Sequence, residues 1–415
     1  MVAGRSLGRP FGWLWAAYAI STLGTWFAFD AFPLIAILVL HAGPTEVSLL
    51  AAAGLAVGAA LALPLGPWLE FRRKRSVMVA MDLLRFAALL SVPAAFALGR
   101  LGFPQLLVVA IVVGAADIVF TAATGACVKA LVRPQDLLVA NGRFESTTWT
   151  ATMLGPPLGG AALAVFGPVV TVVANAVSHL LSAAGIRAMG GPEPRPEPDR
   201  APPRSRVGDL FEGWRYILTD SALRPLFLNT VLVSGLIMAT SPLLAVLMLG
   251  RLGFAPWQYA LAFAVPCVGG LIGSRLAPRL VARFGRHGVM RTAGTLRACW
   301  SLGTAFVGPG AVGLVFLMCV EFGLITCMGV FNPVFATHRL ERTPADRVVR
   351  TLAAWSVAGK AAIALLTALW GLLAAVTGPR TAIVIAGLLM LATPLLLPRH
   401  DRTPRPGREP ARDHT

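Results

Sequence analysis

Apolar runs of about twenty residues recur along this chain, with short polar stretches between them. They predict twelve membrane-spanning helices at 11–40, 47–69, 76–98, 104–126, 146–166, 168–189, 225–249, 256–280, 287–307, 311–335, 351–376 and 379–397. A helix rising ~1.5 Å per residue needs about 20 apolar residues to cross a hydrocarbon layer of ~30 Å. The first run follows Arg5 and Arg9 as a secretory leader would, but it is far longer than a leader's apolar core. Another span follows it after a short turn, so it reads as a transmembrane helix.

The one long polar interruption is 190–223. Gly191-Pro-Glu-Pro-Arg-Pro-Glu-Pro198 is a stiff, extended tether. After it, Leu210, Phe211, Trp214, Ile217 and Leu218 fall on one helix face, with Arg206, Asp209, Glu212 and Arg215 elsewhere. That pattern fits a helix lying on the inner membrane surface, serving either as a plain tether or as a regulatory element. The expected division is a six-helix bundle over 1–189, a cytoplasmic linker over 190–223, a second six-helix bundle over 224–398 and a basic cytoplasmic tail over 399–415. The two bundles echo each other. Pro33-Leu-Ile-Ala-Ile-Leu-Val-Leu40 recurs as Pro242-Leu-Leu-Ala-Val-Leu-Met-Leu249. Val77-Met78 with Leu84-Arg85 recurs as Val289-Met290 with Leu296-Arg297, and Gly167-Pro168 as Gly378-Pro379. The offsets are 209, 212 and 211, as expected for a duplicated six-helix unit.

Charge orients the spans. With the N-terminus inside, the outer connections carry only Arg100, Arg251 and Arg380 of the 36 Lys and Arg. The inner ones take Arg72 to Arg75, Arg133, the 187–224 region, Arg283, Arg286, Arg339 to Arg350 and the tail. Positive charge in short loops marks the cytoplasmic side, so both termini are expected there, in a multi-pass protein of the plasma membrane. Composition agrees: 56% hydrophobic, 13% charged, mean hydropathy +0.72. The net charge of +17 is then a matter of topology and anionic lipid headgroups, and no nucleic-acid partner is expected. Cys127, Cys267, Cys299, Cys319 and Cys327 lie in apolar stretches without Cys-x-x-Cys spacing, and read as reduced packing residues.

The connection after the second span reads Gly66-Pro-Trp-Leu-Glu-Phe-Arg-Arg-Lys-Arg75. Four consecutive cations cannot enter hydrocarbon at roughly 2.5–3.5 kcal/mol each, so Arg72, Arg73, Lys74 and Arg75 fix this loop at one face. The loop resembles the Gly-x-x-x-Asp-Arg-x-x-Arg-Arg motif between the second and third helices of the major facilitator superfamily. Gly66 matches its glycine, Glu70 its acid and Lys74 with Arg75 its basic end, while Phe71 departs from its arginine. The fifth span resembles the Gly-x8-Gly-x3-Gly-Pro-x2-Gly-Gly of antiporters in that superfamily at Gly142, Gly155, Pro156, Gly159 and Gly160, with Ala151 at the remaining glycine. With Leu138-x-x-Ala-Asn141 upstream, the chain is similar to the siderophore- and macrolide-exporting branch. The resemblance implies an all-α fold of two pseudo-symmetric six-helix bundles with substrate held between them. It also implies an inner gate at 66–75 and tight packing of the halves along the fifth span near the outer face.

An ionisable residue within a span is costly unless it meets a wet cavity or a partner. Asp30, Asp117 and Glu321 fall in spans one, four and ten, which line the cavity in the superfamily, so they are the candidates for substrate or proton binding. Glu321, near mid-span, leads. Lys360 in span eleven is a candidate to pair with it, as a gate or as a satisfied charge. Asp82 and Arg85, one helical turn apart, read as structural, as does His179; Arg143 and Glu145 are placed at the inner interface. Trp26, Trp149 and Trp355 either line an apolar pocket or pack in the core. Proton-coupled exporters of the superfamily usually hold an arginine inside span four; none occurs in 104–126.

The expected function is export of a small, partly hydrophobic molecule (a drug, siderophore or secondary metabolite) by alternating access in exchange for protons. Uptake by the same fold and a transport-inactive sensor stay open. The chain has no Gly-x4-Gly-Lys-[Ser/Thr] loop for an ATP-driven pump. His-Glu-x-x-His and Gly-x-Ser-x-Gly are also missing, so no enzyme, catalytic residue or metal site is expected. No cofactor is expected beyond a proton gradient, and the partners are substrate and membrane lipid, with the protein a monomer.

Overall fold

The structure, a computed structural model, describes residues 7–28, 31–41, 50, 72–190 and 211–397. The first predicted span comprises α1 (Arg9–Phe27) and α2 (Ala31–Leu38). It is followed by α3 (Lys74–Ala97), α4 (Phe103–Leu131), α5 (Leu137–Phe166) and α6 (Pro168–Ala188). After the linker come α7 (Glu212–Thr219), α8 (Leu223–Ala245), α9 (Pro256–Ala264), α10 (Cys267–Phe284), α11 (Arg286–Gly303), α12 (Gly310–Arg342), α13 (Val348–Thr377) and α14 (Pro379–Ala392). The predicted second span lies outside the described residues apart from Leu50. Among the described residues, nine helical stretches are long and apolar enough to cross a membrane. α5 and α11 complete the pattern despite weaker hydropathy, since Gly, Pro and Thr dilute α5 and three arginines interrupt α11.

Local sequence explains where the helices break. Pro266 lacks an N–H for the ladder and separates α9 from α10 within the predicted eighth span. A single glycine joins α5 to α6 and another joins α13 to α14: Gly167 has φ +79° and Gly378 φ +85°. Only glycine reaches that backbone cheaply, and the proline after each is preset for a first helical turn. The duplicated Gly-Pro pairs are therefore one turn built twice. α12 runs well past the apolar stretch, ending with Arg339 and Arg342 in its last turn, where cations suit the helix C-terminus.

Two groups of helices form. α1 packs on α5 and α6, and α3 on α4 and α6; in the second group α8 packs on α13 and α14, α11 on α12 and α14, and α10 on α12. α5 crosses to α10 and α12, and α4 meets α13. The cores are asymmetric along the membrane normal. Toward the face carrying the basic loops, one core unites Val119, Cys127 and Val128 of the first group with Leu340, Val349 and Leu352 of the second. Among the described residues the cores toward the opposite face stay separate, one around Leu89, Val92 and Leu106, the other around Leu236, Leu317 and Met390. The halves are thus closed together at the basic face.

The linker helix α7 rests on protein. Gly213 lies against the Arg350 backbone, Ile217 is buried and Trp214 reaches two cores, while Phe211 and Leu218 stay exposed. Glu212 bonds Arg350, and Tyr216 Oη donates to the Arg342 carbonyl at 3.0 Å. The apolar face read as membrane-bound is therefore shared with α13, because Glu212 anchors the helix there. Leu210 lies outside the described residues. All five cysteines are free, but Cys299 and Cys319 are exposed and do not serve the core packing expected of them.

Candidate functional site

The charges of α4 and α13 meet where the halves meet. Asp117, near the middle of α4, accepts a hydrogen bond from Lys360 Nζ of α13 at 3.0 Å. Of the Asp117 side chain, 48% is exposed, and of Lys360 23%. At mid-span such a carboxylate belongs in a wet cleft, not against lipid. Behind it, Arg85 of α3 lies 3.7 Å from Asp117, bonds Asp82 at 2.8 Å and stacks on the Phe120 ring at 4.4 Å. His179 of α6, fully enclosed, sits 3.4 Å from Asp82. Asp82 and Arg85, for which a structural role is favoured, are continuous with the half-to-half contact. Arg85, on the neighbouring helix, thus stands beside Asp117 of α4, whose span 104–126 has no arginine of its own.

The second group repeats part of this arrangement. Arg297, the counterpart of Arg85, stacks on Phe331 at 3.8 Å and bonds the Asn229 side chain, whose amide donates to the Thr393 carbonyl at 2.8 Å. Here an amide replaces the carboxylate, and among the described residues no chain of charges leads to the cleft.

Glu321 on α12 is buried, near Tyr259 of α9 and Cys267 of α10, and has no ion pair or hydrogen bond among the described residues. The expected pairing of Lys360 with Glu321 is corrected: Lys360 turns to Asp117, because α13 packs on α4 rather than on the face of α12 bearing Glu321. Asp30 lies outside the described residues, as do Gly66 and Glu70. Of the predicted inner gate, Arg72 is exposed, Arg73 precedes α3, Lys74 Nζ donates to the Arg72 carbonyl at 3.2 Å and Arg75 reaches the Gly190 carbonyl at 2.6 Å.

The glycine pattern of α5 divides by depth. Gly142 faces the other half, where an added Cβ would stand 3.1 Å from the Ser274 carbonyl. Gly155 lies against Trp26, Gly159 against the Phe27 backbone, and Gly160 has nothing within 4 Å. The expected tight packing of the two halves near the outer face is corrected: around Pro156, α5 turns its small residues to α1 of its own half. The union of the halves lies deeper, in a run of mostly uncharged polar contacts. Asn141 donates to Thr337 at 2.9 Å, Ser146 and Ser274 lie 2.6 Å apart, and Asn332 donates to Glu145 at 2.7 Å. Trp149, packed on Gly270, donates to the same Glu145 oxygen at 2.9 Å. Lys129 closes the basic end on the carbonyls of Leu340 and Thr343. The readable signal was the density of Asn, Ser and Thr in the first half of α5. Arg143 turns the other way, over Phe11 and Trp15 of α1, and Trp355 packs in the second group's core against Phe227.

Two helical groups joined at one face, with ionisable side chains at mid-depth between them, are the architecture of the two-bundle membrane-transporter folds. The family described as Major Facilitator Superfamily matches residues 14–338, and the chain belongs to it. It is 26% identical over 200 residues to the "Multidrug efflux pump Tap" of Mycobacterium tuberculosis (strain ATCC 25618 / H37Rv). That match takes in 47% of this chain and 45% of the pump, so the chain spans less than half the length of the curated relatives it matches. A bacterial homologue of the iron transporter ferroportin in an outward-facing state superposes with a TM-score of 0.77 at 19% identity, covering 94% of this chain and 98% of that one. The human organic anion transporter MFSD10 (TETRAN) superposes with a TM-score of 0.75 at 16% identity, covering 95% and 100%. These likenesses establish the fold: twelve membrane helices in two pseudo-symmetric bundles.

Proposed function

We propose that this protein exports a small, partly hydrophobic molecule by alternating access, driven by proton antiport, as a monomer in the plasma membrane with both termini cytoplasmic. The bundles are 1–189 and 224–398, joined by the 190–223 linker, and the basic face is the cytoplasmic one. The observation that carries the reading is the Asp117–Lys360 pair, made between the two halves at mid-depth with the carboxylate half exposed. A proton or a charged substrate that competes for either partner weakens the contact between the halves. Binding is thereby coupled to their movement. Glu321 and Asp30 complete the ionisable set, and residues 66–75 act as the inner gate. The partial likeness to a multidrug efflux pump supports the outward direction.

The test is transport of dyes and drugs in inverted vesicles, with and without a collapsed pH gradient, for the unaltered protein, Asp117→Asn and Glu321→Gln. Gradient-dependent accumulation lost in both variants supports the exporter. Accumulation indifferent to the gradient removes proton antiport. Gradient-driven release from preloaded inverted vesicles replaces export with uptake.

A further inference from the structure

The contacts along α5 contain a carboxylate that the transport reading above does not use. Glu145 is half-buried where α5 meets α10 and α12. Its Oε1 accepts from both Trp149 Nε1 (2.9 Å) and Asn332 Nδ2 (2.7 Å), one donor from its own half and one from the other. Oε2 has no hydrogen-bond partner among the described residues. No cation among them compensates the charge. Arg143 on its own helix lies over Phe11 and Trp15. On α4, Lys129 is engaged by backbone carbonyls and Asp117 by Lys360. On α6, His179 faces Asp82, and on α10 Arg275 and Arg279 are exposed. On α12, Arg339 stacks on Phe335 and Trp355, Glu341 bonds Arg286, Glu321 lies by Tyr259, and His338 has its own partner. From α1 and α9 the ionisable groups are Arg9, at the first position of α1, and the phenols Tyr18, which lies within electrostatic reach, and Tyr259.

We propose that Glu145 is a coupling residue of the transport cycle: ionised, it clasps Asn332 and holds the basic face shut; protonated, it lets that face open. Hydrogen bonds to a carboxylate are roughly twice as strong as those to a neutral acceptor. A proton on Glu145 therefore weakens both bonds to Oε1; the flanking Ser146–Ser274 and Asn141–Thr337 contacts are neutral, and the charged contacts left between the halves are Lys129 on the Leu340 and Thr343 carbonyls and Lys360 on Asp117. The proton comes from the face opposite the basic loops while the cleft is open there, and leaves on the basic side after opening. One proton thus crosses per cycle. This rests on the alternating-access reading but needs neither a substrate nor a direction of transport.

The experiment is pulsed EPR on the full chain in nanodiscs, with the five cysteines replaced and spin labels at the exposed positions Gln135 and Arg283, just before α5 and near the end of α10. In the otherwise unaltered protein the long-distance population rises several-fold from alkaline to acid pH. In Glu145→Gln, a near-isosteric mimic of the protonated acid, it is high and equal at both ends. Asn332→Leu keeps the carboxylate and removes its donor, and raises the alkaline open population with a reduced swing. A full swing in Glu145→Gln, or an unchanged closed population in Asn332→Leu at alkaline pH, overturns the proposal. If the swing follows Glu145 while vesicle transport ignores the gradient, the clasp stands and the antiport reading falls.

Discussion

At the residue scale, the energetics of the cleft are those of paired charges, and pairing makes distinct demands on each partner. Lys360→Met leaves Asp117 with only Arg85 at 3.7 Å, whereas the Asp117→Asn, Lys360→Met double variant leaves no orphan charge. Removing one side of a hydrogen-bonded charge pair costs about 1.5–3 kcal/mol, lessened here because Asp117 is half exposed. The single Lys360 variant is therefore expected to melt at a lower temperature in detergent than the double variant, while both lose transport. Equal melting temperatures would mean that water already screens the pair. Asn229→Leu makes a harsher case, because Arg297 is enclosed and Asn229 supplies its side-chain acceptor. Loss of a partner from a buried charge costs roughly 3–5 kcal/mol, so this variant should unfold or fail to insert. Asp117, Glu321 and Lys360 were legible in the sequence because a charge inside an apolar run is conspicuous. Which of them pair was not legible, since that depends on which face of α13 meets α4. Glu145 escaped for the opposite reason: set beside Arg143 at the start of an apolar run, it looked like an interfacial residue.

At the scale of elements, α5 does two tasks along one helix. Its first half, from Asn141 to Trp149, is polar and contacts the other group, while its second half, from Gly155 to Gly159, is small and packs on α1. A methyl group on Gly159 would overlap the Phe27 backbone, which cannot shift as a flexible side chain does. Overpacking of this kind costs about 1–3 kcal/mol, so Gly159→Ala should lower the melting temperature. Gly160→Ala meets nothing within 4 Å and should leave it unchanged or raise it slightly. Similar losses in both would show that the two glycines serve backbone flexibility and not close approach. The helices themselves were plain in the sequence. Boundaries moved where charge permits a helix to continue beyond the hydrocarbon, as at Arg339 and Arg342, or where a proline such as Pro266 divides a run that hydropathy alone joins. The destination of the glycine stripe could not be read, because spacing says that a neighbour comes close without saying which.

For the whole molecule, the decisive feature is that the cores merge at the basic face and stay separate at the other. Under the alternating-access cycle proposed above, such asymmetry is one end of the cycle, and the contacts of α5 with α10 and α12 are the part that must come apart. Ser146 and Ser274 offer a direct handle, since their hydroxyl oxygens lie 2.6 Å apart across the halves. A disulfide needs its sulfurs about 2.05 Å apart with closely facing Cβ atoms, so a cysteine at each position is well placed to bridge. In a background without the five native cysteines, Ser146→Cys with Ser274→Cys should cross-link under mild oxidation and stop transport. Reduction should restore it. Each single cysteine should transport with or without oxidant. The cross-linked protein should still admit a soluble thiol reagent to a cysteine at 117 from the side opposite the basic loops, because only the joined face has been locked. Full transport by the cross-linked form would mean that the halves need not part there. The asymmetry of the cores would then describe a rigid scaffold rather than one state of a moving one.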